Sequence, residues 1–267
     1  MIRRGWFGAL ITVALAGALL FLTLPVAAVF LETSPAALAE SLSDPVAQDA
    51  LWLSLKTTSI ALAIIVLAGT PAAYLLATRR FRGRSAIVTL IELPLVLPPA
   101  VAGIALLAAV GPAGLLGQSI EDAGVELALA TAGVVVALTF VASPFYIRQA
   151  EAAFGALDQA WLDASRTSGA SEARTFLRIA VPAATPGLLA GGALALGRAL
   201  GEFGATLIFA GSFQGITQTV PLAIYDRFAT DFDGALALSA VLVVVSAAIL
   251  LAVKLVRGPD GLGVAAR

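Results

Sequence analysis

The chain has 267 residues, 60% of them hydrophobic and 12% charged, with a mean hydropathy of +0.98 and a net charge of −1. Soluble domains carry about 25% charged residues, so this composition excludes an ordinary soluble globular fold. There is no cysteine and no histidine, which excludes disulfides, thiol nucleophiles and the commonest catalytic base and metal ligand.

Six apolar segments, near 6–30, 51–78, 86–110, 127–147, 186–208 and 235–256, can each cross a bilayer, since a spanning helix needs about 20 residues. The expectation is an all-α membrane protein with six transmembrane helices in one domain over 1–267. Around the first span, Arg3, Arg4 and Ala37-Leu38-Ala39 imitate a signal peptide. An apolar run of about 25 residues is too long for a signal h-region, so this helix is expected to be retained. Lys56, near the outer end of the second span, is expected to snorkel to the interface. The following loop, RRFRGRS at 79–85, reads as a topological anchor contacting phosphate headgroups. In the third span Glu92 precedes Pro94, Pro98 and Pro99. An acid beside kinking prolines is either a satisfied buried carboxyl group or the mark of a cavity or hinge.

Thirteen of the 16 basic residues fall on one set of loops: Arg3, Arg4, Arg79, Arg80, Arg82, Arg84, Arg148, Arg166, Arg174, Arg178, Lys254, Arg257 and Arg267. The opposite loops, 31–50, 111–126 and 209–234, hold Glu32, Glu40, Asp44, Asp49, Glu121, Asp122, Glu126, Asp226, Asp231 and Asp233. The positive-inside rule places both termini and the loop 148–185 in the cytoplasm. The outward loops are short, so an outside partner is expected to meet a shallow surface.

The loop 148–185 contains two short amphipathic helical patterns. Asp158 suits the N-cap of a helix over 159–168. Gly169 suits the left-handed residue that ends it. Ser171 caps the next helix, with Glu172 in its first turn, and Pro182 is expected to close that helix. Trp161, Leu162, Phe176, Leu177 and Ile179 supply apolar contacts, while Asp163, Arg166, Glu172 and Arg174 stay polar. Two readings follow from these residues: a segment lying on the headgroups, or a hairpin that docks a soluble partner.

In the fifth span Arg198 and Glu202 lie four apart and share a helix face. An isolated charge at membrane depth costs at least about 2.5–3.5 kcal/mol, so they should pair or face a polar cavity. The pair either fixes helix packing or lends Arg198's positive potential to an anion pathway. Gly187, Gly191, Gly197, Gly201 and Gly204 give small faces that let helices approach closely, serving either internal packing or a pathway near a dimer axis. The only lysines are Lys56 and Lys254, and neither follows a glycine. A Walker A loop needs Gly-Lys-[Ser/Thr], so any ATP hydrolysis belongs to another subunit.

The spacing of Asp163-Ala164-Ser165, three residues, Gly169, nine residues, Ile179-x-Val181-Pro182 resembles the EAA loop of ATP-binding-cassette importer permeases. The family reads Glu-Ala-Ala, Gly and Ile-x-Leu-Pro at these positions, so Asp163, Ser165 and Val181 are mild departures. The literal Glu151-Ala152-Ala153 lacks a glycine at the required spacing and is set aside. The segments GRALGEFGATLIFAG at 197–211, TQTVPLAIY at 217–225 and IELPLVLPPAVAGIALL at 91–107 look like the molybdate branch of that family. Sulfate permeases share the Arg-Ala-x-Gly-Glu-x-Gly core. The resemblance covers roughly residues 50–256.

The resemblance implies the type I importer permease fold, with a coupling helix–turn–helix that docks on an ATPase through Asp163, Ala164, Ser165, Arg166, Gly169, Ala170, Glu172, Ile179 and Pro182. It implies a pathway or gate involving Arg198, Glu202, Gly201, Gly204, Thr206 and Glu92. The expected assembly is a homodimer of this subunit, two ATPase subunits and an extracytoplasmic binding protein that delivers an oxyanion. That oxyanion is molybdate or tungstate, with sulfate or thiosulfate as the alternative. ATP and magnesium sit on the partner, and this chain is expected to bind no cofactor. A self-contained secondary transporter would need coupling carboxylates, for which only Glu92 and Glu202 stand at depth. A membrane enzyme lacks any catalytic constellation.

Overall fold

The computed structural model describes residues 3–256, with side chains for 6–252 and Leu255. Arg257 and Arg267 of the charge map lie outside the described residues, as do the side chains of Arg3, Arg4 and Lys254. Among the described residues all regular structure is helical. The chain runs through α1 (Arg3–Glu32), α2 (Pro35–Ser43), α3 (Pro45–Thr78), α4 (Arg84–Val96), α5 (Pro99–Val110) and α6 (Gly117–Asp122). It continues through α7 (Thr131–Gly155), α8 (Gln159–Thr167), α9 (Glu172–Thr175), a π-helical turn (Phe176–Ala180), α10 (Val181–Leu200), α11 (Gly204–Ala210), α12 (Val220–Phe228) and α13 (Phe232–Val256).

Five helical stretches are long and apolar enough to cross a membrane: Trp6–Glu32, Pro45–Thr78, Thr131–Gly155, Glu172–Leu200 and Phe232–Ala252. The expected third span at 86–110 is not one helix. It is α4 and α5, bent by 120° at Leu97–Pro98, and counts as a sixth span only if the two halves are taken together. Pro94 sits inside α4 without ending it. The break comes at Pro98-Pro99, where two rings remove two N–H donors and bias the preceding residue away from helix.

The fifth span also differs from 186–208. Pro182 does not close the hairpin's second helix. The π turn lets Val181 N–H reach back to Phe176 O, so Pro182 passes without breaking the rod. Glu172–Leu200 is one continuous stretch of 29 residues, about 44 Å long at 1.5 Å per residue. It ends at Gly201, and a separate helix, α11, starts at Gly204.

The core is the packing of α3, α7 and α10. Small side chains dominate it: Ala61, Ala73, Ala142, Ala150, Ala184, Ala195 and Ala199 are all buried. Lipid offers no hydrophobic drive between helices, so close backbone approach carries the association. Tyr146 of α7 lies between Gly69 and Gly191, where a Cβ would come within 2.9 and 3.2 Å of its ring. Its hydroxyl shares a 2.6 Å hydrogen bond with Thr70. At one end of the bundle, α12 and α13 cover the start of α3 through Ala47, Ala50, Val220, Ala223 and Leu238. Asp44 caps α3 by accepting from Val46 N–H and pairs with Arg227. This end is deeper than the short loops suggest. It carries a cavity of about 670 Å³ lined in part by Glu40, Asp44, Arg227, Asp231 and Asp233.

Candidate functional site

The segment 158–180 folds as the hairpin that its capping residues dictate. Asp158 accepts from Ala160 N–H at 2.9 Å and starts α8. Gly169 has φ +83°, a left-handed backbone that favours glycine. Ser171 accepts from Arg174 N–H at 3.3 Å and starts α9. Two side-chain bridges close the turn. Arg166 donates to Glu172 at 2.9 Å and to Asp163 at 3.0 Å, and the Ser165 and Thr175 hydroxyls share a 2.8 Å hydrogen bond. The Glu172 contact, with Asp163 adding to it, holds the Arg166 guanidinium above its usual pKa.

The five apolar residues of the hairpin divide by face. Leu162 is fully buried, and Phe176 and Ile179 pack on the same core cluster. Phe176 stacks in a trio with Tyr74 and Phe154, at centroid distances of 4.9 and 6.2 Å. Trp161 and Leu177 instead point outward, 56% and 63% exposed. Asp163, Ala164, Gly169, Glu172 and Pro182 are exposed with them, while Ser165, Arg166, Ala170 and Ile179 are half-buried. The result is an anchored hairpin with a free face of mixed apolar and charged groups.

The other end of the rod meets the broken third span. Glu202 is 1% exposed and lies just past the end of α10. One carboxylate oxygen takes Arg198 at 2.5 Å, and the other accepts from Ala205 N–H at 2.7 Å. The ion pair thus bridges the break between α10 and α11. Gly201 lies at that break, and Gly204 opens α11 immediately after it. A Cβ on Gly204 would fall 2.6 Å from Pro99 Cβ, and one on Gly103 would fall 2.6 Å from Ile208 Cβ. Two chain breaks, 97–98 and 201–203, are therefore packed together where α5 crosses α11. Thr206 of α11 is fully buried, and its hydroxyl has no hydrogen-bond partner among the described residues.

Glu92 does not join this group, and it is not a buried carboxyl group. It is half-exposed and pairs with Arg148 at 2.8 Å. Gly187 and Gly191 pack on α7, against Ala153 and Tyr146, whereas Gly197 faces open space. The five glycines therefore form no single stripe.

A family model described as the inner membrane component of binding-protein-dependent transport systems matches residues 65–257. The chain belongs to this family. The permease is 43% identical over 248 residues to the molybdenum transport system permease protein ModB of Mycobacterium tuberculosis, with 93% of each chain covered. It is 39% identical over 255 residues to a probable molybdenum ABC transporter permease protein of Haloferax volcanii, covering 95% of this chain and 91% of that one. Its fold matches that of a solved bacterial ABC transporter involved in the import of the acidic polysaccharide alginate. The TM-score is 0.77 at 17% identity, with 96% of each chain covered. The architecture is that of a type I ABC importer permease.

Sequence reasoning set Glu151 aside, and the structure gives it the most buried ion cluster of the permease's hairpin end. It accepts from Arg84 at 2.6 Å and from Arg148, with its own side chain 9% exposed. The available signal was Arg148 one helical turn before it. The contact with Arg84, 67 residues away, had no local trace.

Proposed function

We propose that the permease is the membrane subunit of an ATP-driven importer of molybdate or tungstate. Its whole length forms one transmembrane domain, and two copies form the pathway. The hairpin of each docks on one of two ATP-binding-cassette ATPase subunits through the exposed face around Trp161, Asp163, Gly169 and Leu177. ATP and magnesium are held by those subunits, and this chain binds no cofactor. An extracytoplasmic binding protein delivers the anion at the opposite end, and Arg198, Glu202, Gly201, Gly204, Thr206 and Glu92 belong to the pathway or its support. Both termini lie in the cytoplasm of the cell whose inner membrane holds the complex.

Charge supports this orientation. Arg79 reaches Glu172 at 3.7 Å and Arg84 reaches Glu151, so the two basic loops gather at the hairpin end. The cavity at the other end is lined by Glu40, Asp44, Asp231 and Asp233 against one arginine. The relatives' names support the ion. The observation that carries the coupling is mechanical: the second helix of the hairpin and the fifth span are one continuous helical stretch, Glu172–Leu200. Displacing the hairpin displaces the rod and the breaks at its far end. ATP binding would therefore bias an inward- and outward-open equilibrium through differential contacts at the hairpin.

The test is reconstitution of the permease, its ATPase and its binding protein in liposomes. ATP-dependent uptake of radiolabelled molybdate is expected, with little uptake of sulfate or thiosulfate. Uptake by the permease alone, without ATPase, would overturn the reading, and selective sulfate uptake would replace the ion.

A further inference from the structure

α4 is attached to the rest of the molecule in an unusual way. None of its residues is buried, and Leu90, Leu93, Leu95 and Val96 are all exposed. Its far end is a 120° break. Its fixed points are polar. Arg84, its first residue, donates Nη2 to Glu151 Oε1 at 2.6 Å and Nε to Leu76 O at 2.8 Å. Glu92, two turns on, takes Arg148 Nε at 2.8 Å. Arg148 in turn donates to the second oxygen of Glu151. Both attachments of α4 to α7 therefore end on one shielded carboxylate, directly in one case and through Arg148 in the other. In lipid, apolar contact supplies little drive for holding a helix against its neighbour. Ion pairs in a low-dielectric site are strong, and removing one member leaves its partners uncompensated.

We propose that Glu151 is a positioning residue: it clasps α4 against α7 through Arg84 and Arg148, and so sets where α4 stands relative to the break at Leu97–Pro98. The functional consequence rests on the import reading above, while the geometry does not. Opening the clasp frees α4 to pivot at Leu97–Pro98, beside the Pro99–Gly204 contact. The clasp lies within reach of the docking end, because Arg79, five residues before Arg84, contacts Glu172 at the start of the rod.

The chain has no cysteine, so spin labels can be placed without background, at Leu90→Cys on α4 and Gly155→Cys at the end of α7. Both positions are exposed, and a Cβ at Gly155 meets nothing within 4 Å. The labelled full-length subunit is diluted with unlabelled subunit and assembled with its ATPase in nanodiscs. Pulsed electron paramagnetic resonance should report a single narrow distance for the parent. Glu151→Gln should lose that narrow distance, whereas Glu151→Asp should retain most of it. Molybdate transported per ATP hydrolysed should fall about fivefold or more in Glu151→Gln, the lower edge of a typical coupling between sites. If Glu151→Gln does not assemble, the pair Arg84→Gln and Glu92→Gln, both at half-exposed side chains, should broaden the distance instead. An unchanged distance in whichever variant assembles overturns the clasp. A changed distance with unaltered transport per ATP keeps the clasp and overturns its part in coupling. Failure of every assembly to transport molybdate, with the distance still responding, faults the import reading alone.

Discussion

Glu202 gives the sharpest energetic test. Its carboxylate is buried and serves two elements, Arg198 at the end of α10 and the Ala205 N–H in the first turn of α11. Glu202→Ala removes both contacts. Breaking a buried ion pair by deleting one partner costs about 3–5 kcal/mol. Arg198 is 28% exposed and regains some hydration, which favours the lower end, about 3 kcal/mol. The orphaned Ala205 N–H adds about 1 kcal/mol, for a total near 4 kcal/mol. Glu202→Gln keeps an acceptor for Ala205 and a neutral one for Arg198, so it should cost about 2 kcal/mol. The double variant Arg198→Ala/Glu202→Ala should be more stable than the sum of the two single variants by about 1–2 kcal/mol. Reversible unfolding of the micelle-bound subunit in dodecyl sulfate, followed by circular dichroism, measures all of these. A Glu202→Ala cost below about 1 kcal/mol, or a strictly additive cycle, would refute the bridging role. Should the double variant assemble and still transport at the parental rate, the pair is structural and Arg198 lends nothing to the anion.

Gly169→Pro demands φ near −65° where the chain stands at +83° and deletes the N–H that donates to Arg166 O at 3.0 Å. It should weaken ATPase binding at least about tenfold, equivalent to about 1.4 kcal/mol, in a pull-down from mixed micelles. Asp163→Lys should weaken the same binding while lowering the stability of the isolated subunit by no more than about 1 kcal/mol, because the Asp163–Arg166 pair it removes is solvent-exposed. Gly204→Val drives a side chain into Pro99 and should cost about 1–3 kcal/mol along with transport, whereas Gly197→Ala, which meets nothing within 4 Å, should behave as the parent in both assays.

Local chemistry was legible in the sequence where a residue's effect ends within a few positions. Asp158, Gly169 and Ser171 each act on the next turn, and each stands where its type requires. The existence of the spans α1, α3, α7 and α13 likewise followed from hydropathy alone, although α3 starts at Pro45 rather than 51 and α7 continues to Gly155, eight residues past the expected end at 147. Length could not reveal that 86–110 is two half-helices, because a broken span and a straight one need the same residues. Pro182 misled for a related reason. A proline clashes with the carbonyl of an ordinary α-turn, but the π turn at Phe176–Ala180 shifts the register and removes the conflict. Glu151 was hidden by distance along the chain. Its burial depends on Arg84 arriving from another helix, and no window of neighbouring residues contains both.

The positions of the locked and the interrupted backbone decide where motion can occur. The π turn is a natural suspect for a hinge, since such turns often sit at functional sites. Here its surroundings argue against bending. Phe176 is held in the aromatic trio with Tyr74 and Phe154, Ala180 is buried, and Thr175 just before it is bonded to Ser165. The hairpin is itself bridged by Arg166 to Glu172. The rod therefore leaves the docking end as a rigid lever. At its far end Arg198 and Glu202 tie it to α11, but the backbone between, Gly201–Phe203, is not helical. That interruption touches the second one through Gly204 and Pro99. The rod carries Pro186 and several glycines, yet it stays helical from Glu172 to Leu200, so the first loss of helix beyond the hairpin comes at these two adjoining breaks, and hinges of this kind absorb large backbone changes over few residues. In the proposed importer the gate would therefore stand at the Pro99–Gly204 contact, at the opposite end of the rod from the hairpin that would receive the push.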